Sequence, residues 1–305
     1  MAGNFPEIWL KRVIRMMEQA LKAPWLDGIG EVEGDVIELG AGTETEKNII
    51  HVPLSTFEPE VLVNNTTYPI DAVEYTDDNA TLQLNKFQTE VTTLNDDQVM
   101  GASYNKIDEA TKSHIRAITK KKLGMAIHAM APASHTAATP VLRTTGEAFG
   151  GRKMLIYEDL VALKDAFDKA GIDVEGRRLV LCTDHWNDLL KDRKNFGDQL
   201  VNYKKGDLAP NIAGFDIYQY INMPLYTSAG AKKAFGAAPA AGDYAASVAY
   251  HESNVGKKTG KTKQYFLAAA LNPRNQSNEL NYRHYFIVMP FENKAIGAIA
   301  SDAAA

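Results

Sequence analysis

Cysteine, long apolar runs and metal-ligand clusters are what this sequence has least of. Its single cysteine, Cys182, cannot form an internal disulfide, and a lone cysteine in an apolar strand usually serves packing. No apolar run approaches the ~20 residues of a membrane-spanning helix. Charged residues interrupt the apolar positions of residues 1–21, so this segment lacks the continuous apolar core of a signal peptide. We expect a soluble protein that is made in the cytosol.

Positive charge is not in excess either. The net charge of -5 and the pI near 5.8 argue against a dedicated nucleic-acid binder, because such a protein shows a basic domain. A local basic face is not excluded. With 305 residues, 45% of them hydrophobic and 23% charged, the chain is typical of globular proteins and long enough for one large domain or two smaller ones.

A phosphate-binding loop is suggested by residues 256–262 but fails in spacing and in context. The stretch Gly-Lys-Lys-Thr-Gly-Lys-Thr has three residues before its Gly-Lys-Thr, where the loop needs four. Val255 stands where the required glycine would be. Only ~40 residues follow, too few for the parallel sheet and the magnesium-holding strand of such an enzyme. A nucleotide-binding enzyme stays an alternative without further support.

No other arrangement of side chains predicts an active site. Cys182 and His185 could form a nucleophile pair, but their place at a strand-to-helix junction favours packing and capping. The remaining histidines are scattered without zinc-ligand spacing; they are His51, His114, His128, His135, His251 and His284. We therefore predict no catalytic residue, no cofactor and no metal site.

The longest run that fits one helix is residues 95–130. Asn95, followed by two aspartates, suits a helix start, and Pro132 ends the run. Unbroken, this helix would reach roughly 50 Å, far beyond the average. The apolar residues recur at three- to five-residue steps; they are Ile107, Ala110, Ile115, Ile118, Leu123, Ile127 and Met130. Such a helix usually serves as a strut.

A basic stretch lies on this predicted helix. Its members, with no acid among them, are Lys112, Arg116, Lys120, Lys121 and Lys122. A charge run usually means a solvated helix face. Contact with an acidic partner or with nucleic acid is the other interpretation.

The N-terminal segment predicts a short amphipathic helix that Asn4 can cap and Pro24 ends. One apolar stripe carries Trp9, Val13, Met16 and Ala20, and a second beside it carries Leu10, Ile14, Met17 and Leu21. Such a face either packs on the chain's own core or forms an arm that packs on another subunit. Trp9, Val13, Met16 and Met17 are our candidate contacts for an arm of that kind.

From residue 35 to residue 94 the pattern changes to strands and turns. Residues 36–39, 48–54, 61–63, 72–75 and 81–91 read as strands, with a polar tip at 43–47. This region is poor in large apolar side chains, and strands of that kind rarely form a core alone. It predicts an extended hairpin that lies on something else.

A compact block of helices and strands follows a linker at residues 131–151. We predict a helix over 157–170 that Gly171 ends, a strand over 178–182, and a helix that Thr183 or Asp184 caps. A strand over 212–221 is interrupted by Gly214. The last strands are 246–250, 282–289 and 295–300, and residues 263–271 could be helix or strand. The fold class is α+β.

The order of these elements resembles the major capsid proteins of tailed bacteriophages, the Hong Kong 97-type fold. Four stretches also resemble sequences of that family; they are Pro6-Glu7-Ile8-Trp9, Ser103-Tyr104-Asn105-Lys106, Arg178-Leu179-Val180-Leu181 and Ile212-Ala213-Gly214-Phe215-Asp216-Ile217-Tyr218. The resemblance covers nearly the whole chain. It implies an N-arm at 1–34, an extended loop at 35–92, a peripheral domain with the spine helix at 93–130 and 261–305, and an axial domain at 131–260.

By that resemblance the chain is structural and not an enzyme. It would assemble through pentamers and hexamers into an icosahedral shell around double-stranded DNA, in the cytoplasm of a bacterial host, and end in the virion capsid. Its partners would be further copies of itself, a portal and decoration proteins. It would contact the packaged DNA non-specifically and would not bind a membrane. Because the arm begins near Phe5, we expect either a separate scaffolding protein or a chain that is already in its mature form. Lys47 could serve a cross-link, but no motif fixes an asparagine partner, so none is predicted. A bacterial encapsulin, which shares the fold and holds cargo enzymes, is an alternative.

Overall fold

A computed structural model describes residues 13, 23–32, 37–38, 48–54, 61–62, 64–66, 68–70, 72–74, 78–100, 106–192, 201–202 and 207–304. The α-helices are α1 (Asp96–Met100), α2 (Lys106–Met130), α3 (Tyr157–Lys169) and α4 (Thr183–Lys191). Short 3₁₀ turns cover Pro24–Leu26, Glu252–Asn254 and Ala269–Leu271. Among these residues, no helix has both the length and the apolar character needed to cross a bilayer.

Eighteen strands complete the described chain. They are β1 (Ile37–Glu38), β2 (Asn48–Leu54), β3 (Asp78–Gln83), β4 (Asn85–Gln88), β5 (Thr92–Asn95), β6 (Val141–Arg143), β7 (Ala148–Phe149), β8 (Arg152–Lys153), β9 (Arg177–Leu181), β10 (Val201–Asn202), β11 (Asp207–Leu208), β12 (Asn211–Ile212), β13 (Phe215–Gln219), β14 (Leu225–Tyr226), β15 (Tyr244–His251), β16 (Val255–Leu267), β17 (Ser277–Pro290) and β18 (Ile296–Ala300).

The largest sheet has seven strands in the order β12-β13-β9-β15-β18-β6, with β14 beside β15. Helix α3 covers one face, where Leu160, Leu163 and Phe167 pack on Leu179 and Ile299. Residues 213 and 214 turn β12 into β13 with positive φ angles of 51° and 79°, which is the turn geometry that a two-residue hairpin requires. Apart from β18, the strands of this sheet lie within residues 131–260, for which the axial domain stays a prediction.

A second sheet is built on two long strands. β16 pairs antiparallel with β17, and β4 and β5 pair with the other edge of β17. Helix α2 lies across one face, where Ile115 and Ile118 pack on Leu280 and Tyr282. The hydroxyl groups of Thr111 and Tyr282 are 3.1 Å apart. At about 1.5 Å per residue the 25 residues of α2 span roughly 37 Å, so α2 is the strut that carries this sheet.

The two large sheets share one core. Its members come from the turn at Pro24–Leu26, the C-terminal half of α2 and both sheets; they include Trp25, Leu123, Ile127, Met130, Val180, Tyr250, Phe286 and Val288. Segment 30–32 also bridges to β16, where Val32 N donates to Lys257 O at 2.9 Å. The chain entering from the N-terminal segment is therefore fixed to both sheets.

Several predicted elements agree with the structure. The strand at 48–54 and the helix end at Met130 are confirmed, as is the helix beginning at Tyr157, after which Gly171 adopts φ +68°. Helical structure is recorded at Asp96–Met100 and Lys106–Met130, and the intervening residues 101–105 lie outside the described residues. The undecided stretch 263–271 is the end of β16 followed by a 3₁₀ turn.

Other predictions need correction. Residues 61–62 and 72–74 belong to no strand, and their side chains are exposed. The helix after β9 begins at Thr183 with Cys182 as its N-cap, because the Cys182 carbonyl already accepts from Trp186 N at 3.0 Å. β18, which the resemblance assigns to the peripheral domain, pairs with β15 in the seven-stranded sheet. Its five residues are all buried there, which only an inner strand achieves.

Candidate assembly surface

The extended hairpin exposes its apolar side chains. β1, β2 and β3 form a small sheet of their own, and the segment between β2 and β3 carries apolar side chains that are 51% to 82% exposed. These are Val61, Leu62, Tyr68, Ile70 and Val73. Apolar side chains clustered on the outside of a soluble protein mark an interaction site. This part of the chain offers contacts that one copy alone does not use.

The same region has one sign of charge. Residues 48–85 include six acids and no lysine or arginine; the acids are Glu58, Glu60, Asp71, Glu74, Asp77 and Asp78. Like charges on an extended segment repel one another and favour a partner of the opposite sign. The hairpin is thus both apolar and acidic.

Helix α2 carries part of the predicted basic stretch as one exposed stripe. Lys112, Arg116 and Lys120 are four residues apart and therefore follow one side of the helix. Arg116 and Lys120 are exposed. Lys112 forms a 3.3 Å ion pair with Glu109, one turn earlier, so the stretch has an acidic neighbour just before it. We call these three residues the basic stripe.

The other two members point elsewhere. Lys121 Nζ lies 5.7 Å from the centre of the Phe235 ring, and Lys122 Nζ lies 4.5 Å from that of Phe286. Phe235 belongs to the loop after β14, whereas Phe286 is on β17. The five residues predicted as one patch therefore face three directions around the helix.

The predicted arm contacts are described at one position. Val13 is only 2% exposed and packs in the cluster of Ile115, Ile118, Leu280 and Tyr282 of the same chain. Trp9, Met16 and Met17 lie outside the described residues. Contact of the arm with another subunit stays a prediction.

An apolar groove follows one side of α2. It has a volume of about 910 Å³ and lies between the helix and the edge strand β4, with Phe87, Ala117, Ile118, Met125 and Phe235 in its walls. Lys121 stands at this groove. Within the described part of the chain, β4 pairs with β17 along one edge only.

A basic cleft follows another side of α2. It has a volume of about 970 Å³ and is bounded by residues 23–31, α2 and β16. Its basic side chains are Lys122, Lys257, Lys261, Lys263 and His284. Asp27 and Glu31 are the acids at its rim among the described residues. We call this site the lysine cleft.

Two of those lysines, Lys257 and Lys261, belong to the stretch whose spacing failed as a phosphate-binding loop. Residues 256–262 lie within β16 and pair with β17, with a bulge between Thr259 and Thr262. A Cβ atom on Gly256 would lie 2.5 Å from Phe291 Cζ and 2.7 Å from Val32 Cγ2. Gly256 is therefore needed for packing and wraps no phosphate.

Cys182 and His185 are structural. Both are buried, and His185 contacts the hydroxyls of Ser247 at 2.7 Å and Ser301 at 3.0 Å. Burial raises the pKa of the Cys182 thiol to about 11, so the thiolate that a nucleophile needs is absent at neutral pH. Among the described residues, no group of three histidine, cysteine or acidic side chains could hold a metal ion.

Some of these surface residues were missed from the sequence. Lys257 and Lys261 fall within the stretch that fails as a phosphate-binding loop, and only the folded chain brings them together with Lys122. The acidic character of residues 48–85 could have been found from the sequence, because it requires only a count of the charged residues.

Comparison with known proteins gives one family and many solved structures. A family model described as phage capsid protein matches residues 78–299, and no curated protein sequence matches the chain. The capsid of cyanophage P-SCSP1u is similar with a TM-score of 0.61 at 13% identity, covering 93% of each chain. The capsid of a native GTA particle has a TM-score of 0.61 at 10% identity, covering 93% of this chain and 92% of that one. The mature capsid of bacteriophage PhiM1 has a TM-score of 0.55 at 14% identity, covering 88% and 90%.

Proposed function

The chain belongs to the phage capsid protein family, as a major capsid shell protein with the Hong Kong 97-type fold, and from this premise we propose how it builds its shell. Copies assemble as pentamers and hexamers in the cytoplasm of the bacterial host and close into an icosahedral shell around double-stranded DNA. A heterologous contact repeated with closure gives rings. Rings of five and six copies together close a shell.

The observation that carries this proposal is the exposed apolar face of the hairpin. Val61, Tyr68 and Val73 are each more than 70% exposed, and burying such side chains is worth roughly 25 cal/mol per Å² of apolar surface. A hairpin without a core of its own becomes ordered by lying on a neighbouring copy. Many weak contacts of this kind add up around a closed shell.

Charge supports the same arrangement. The hairpin has six acids and no lysine or arginine between residues 48 and 85, whereas the basic stripe lies exposed on α2. Like charges disfavour contact between the hairpins of two copies, and so favour contact of each hairpin with a different surface of the neighbouring copy.

The partners follow from the shell. The basic stripe at Lys112, Arg116 and Lys120 faces the packaged DNA or a separate scaffolding protein before packaging. A portal and decoration proteins complete the particle. The arm residues Trp9, Met16 and Met17 contribute contacts between subunits after assembly, whereas Val13 packs within its own chain. No cofactor takes part.

A pair of aspartate substitutions tests the hairpin. The double variant Ile70→Asp, Val73→Asp should fold as a subunit, because both side chains are exposed, and should fail to form shells. The matched control is Val174→Asp, which changes another exposed valine, in the loop between α3 and β9, and should assemble normally. Negative-stain microscopy and light scattering read the result. Normal shells from the double variant would contradict the proposal.

A further inference from the structure

We propose that the lysine cleft binds a phosphate-bearing polyanion, either a free polyphosphate or a stretch of nucleic-acid backbone. The site lies within one chain, between residues 23–31, α2 and β16. Binding at this site can therefore be tested on a single subunit, independently of shell assembly.

His284 provides the first argument. It lines the cleft yet is only 3% exposed, and its Nε2 atom has no hydrogen-bond partner among the described residues. Its Nδ1 lies 2.9 Å from the hydroxyl oxygen of Thr262. With that hydroxyl donating to Nδ1, Nε2 carries the ring proton and is a donor without an acceptor.

The protonation state of His284 agrees with this role. Burial, followed by the positive charge of Lys122, lowers the pKa of His284 to about 4. The ring is thus neutral at pH 7 and, with the Thr262 hydroxyl donating to Nδ1, offers its one N–H at Nε2. A buried donor left unsatisfied costs on the order of 1–3 kcal/mol, and an oxyanion in the cleft would remove that cost.

Concentrated positive charge provides the second argument. Lys122 stands over Phe286 with its Nζ 4.5 Å from the ring centre. Lys257 donates to the Leu26 carbonyl at 3.2 Å, which holds its ammonium group at the wall. Lys261 and Lys263 add two more charges, and the acids that line the cleft within the described residues are Asp27 and Glu31. A concave site with one excess sign of charge focuses the field on a ligand of the other sign, although the whole chain carries -5.

The bulge in β16 explains how the lysines reach one cleft. Pairing shifts between Thr259 and Thr262, where residues 260 and 261 stand opposite the single residue 285, so one extra residue interrupts the alternation of the strand. A Cβ on Gly260 would meet Tyr285 Cβ at 2.8 Å and Leu84 at 2.9 Å, on the face away from α2. Bulges commonly re-aim a side chain next to a site, and here the residue that follows Gly260 is Lys261.

The dimensions favour phosphate over a single carboxylate. About 970 Å³ exceeds what one carboxylate would fill, and ligand sites typically measure about 300–1,000 Å³. Lysine ammonium groups are point charges that suit phosphate oxygens approached from several sides. Leu26, Leu123 and Phe286 supply an apolar wall on which a sugar or base can lie.

Binding to the purified full-length chain tests the site. Calorimetry with tripolyphosphate, and fluorescence anisotropy with a labelled ten-nucleotide oligothymidylate, should both show binding that weakens as salt rises. Lys122→Gln should weaken tripolyphosphate binding about tenfold, the effect of one charge-assisted hydrogen bond. The matched control Lys121→Gln removes the same charge one residue away, at the apolar groove, and should change affinity less than about twofold.

Two further variants test the site independently of Lys122. Lys261→Gln alters an exposed side chain and should weaken binding in the same way. His284→Phe keeps an aromatic ring and removes the donor, with circular dichroism to check the fold. Competition by tripolyphosphate against the oligonucleotide supports one shared phosphate site. Binding of only one of the two probes supports the proposal and identifies its source.

Three outcomes overturn the proposal. The first is no binding of either probe at millimolar concentration. The second is equal loss in Lys121→Gln and Lys122→Gln, which would mean a diffuse charge effect. The third is binding of succinate as tight as that of tripolyphosphate, which would mean a carboxylate site.

Discussion

The guanidinium group of Arg178 donates a hydrogen bond to the backbone carbonyl of Trp25, with 3.0 Å between Nη1 and O. The same carbonyl accepts from the Tyr250 hydroxyl, and Arg178 Nη2 also donates to Glu252 Oε2 at 2.6 Å. The Trp25 ring lies 5.4 Å from that of Tyr220. One backbone group just after the N-terminal segment is thus held by two strands of the seven-stranded sheet.

Truncating Trp25 should therefore be costly. The side chain is 1% exposed and sits in the core that both large sheets share. We expect Trp25→Ala to lower the free energy of unfolding by about 3–5 kcal/mol, as for other buried aromatic truncations. Urea unfolding of the unassembled subunit measures it, with Trp25→Phe as the milder control. A loss below about 1 kcal/mol would show that the junction is not part of the core.

Acid should weaken the fold through buried histidines. Burial, together with the charge of Arg152, lowers the pKa of His185 to about 3, whereas an unfolded histidine has a pKa near 6.5. Between these values the unfolded chain binds the extra proton, so stability falls as pH drops from about 6.5 toward 3, by up to about 1.4 kcal/mol per pH unit. His284 acts in the same direction down to about pH 4.

Replacing His185 isolates its share of that dependence. Denaturant unfolding at pH 7, 6 and 5 should show a smaller fall in the free energy of unfolding for His185→Gln than for the unchanged protein. The difference in slope should approach about 1.4 kcal/mol per pH unit, the effect of one proton. Identical pH dependence of the two proteins would rule out His185 as a source of acid sensitivity.

Packing around Gly256 gives a third prediction. Gly256→Ala places a methyl group 2.5 Å from Phe291 and 2.7 Å from Val32, and overpacking of this kind typically costs about 1–3 kcal/mol. Gly30→Ala is the control, because nothing lies within 4 Å of a Cβ there. A thermal melt of both variants decides the matter. Equal stability would mean that the strand shifts freely at residue 256.

Reversing the basic stripe tests its proposed role. The double variant Arg116→Glu, Lys120→Glu alters exposed side chains, so the subunit should stay folded while particle yield or DNA content drops. If duplex DNA is the partner, the slope of log affinity against log salt should fall by about two. Lys169→Glu, on α3, is the control. Unchanged yield and DNA content would leave the stripe as a solvated face.

Local signals explain what the sequence predicted well. Turn-forming residues precede the strand at residues 48–54, and Pro132 follows the last residue of α2 closely. Both the strand and the end of the helix could therefore be predicted from the local sequence. Long-range pairing explains what it did not. The place of β18 beside β15 depends on contacts between residues about 50 positions apart, and no local pattern encodes them.

The candidate surfaces divide in the same way. The stripe, whose members are four residues apart, follows from helical periodicity alone. Lys121 and Lys122 are neighbours of Lys120 in sequence but lie against Phe235 and Phe286. In a helix, adjacent residues point about 100° apart. The lysine cleft forms only because β16 has a bulge and α2 packs beside it. The sequence of residues 256–262 predicts neither feature.

The mass and shape of the purified protein test the central claim most directly. Light scattering on a sizing column and negative-stain microscopy should reveal shells, or rings of roughly 170 and 200 kDa as five or six chains of 33.5 kDa require. Nucleic acid inside the shells would separate a phage capsid from a cargo compartment. A stable monomer or dimer that never assembles, even with a scaffolding protein supplied, would contradict the account.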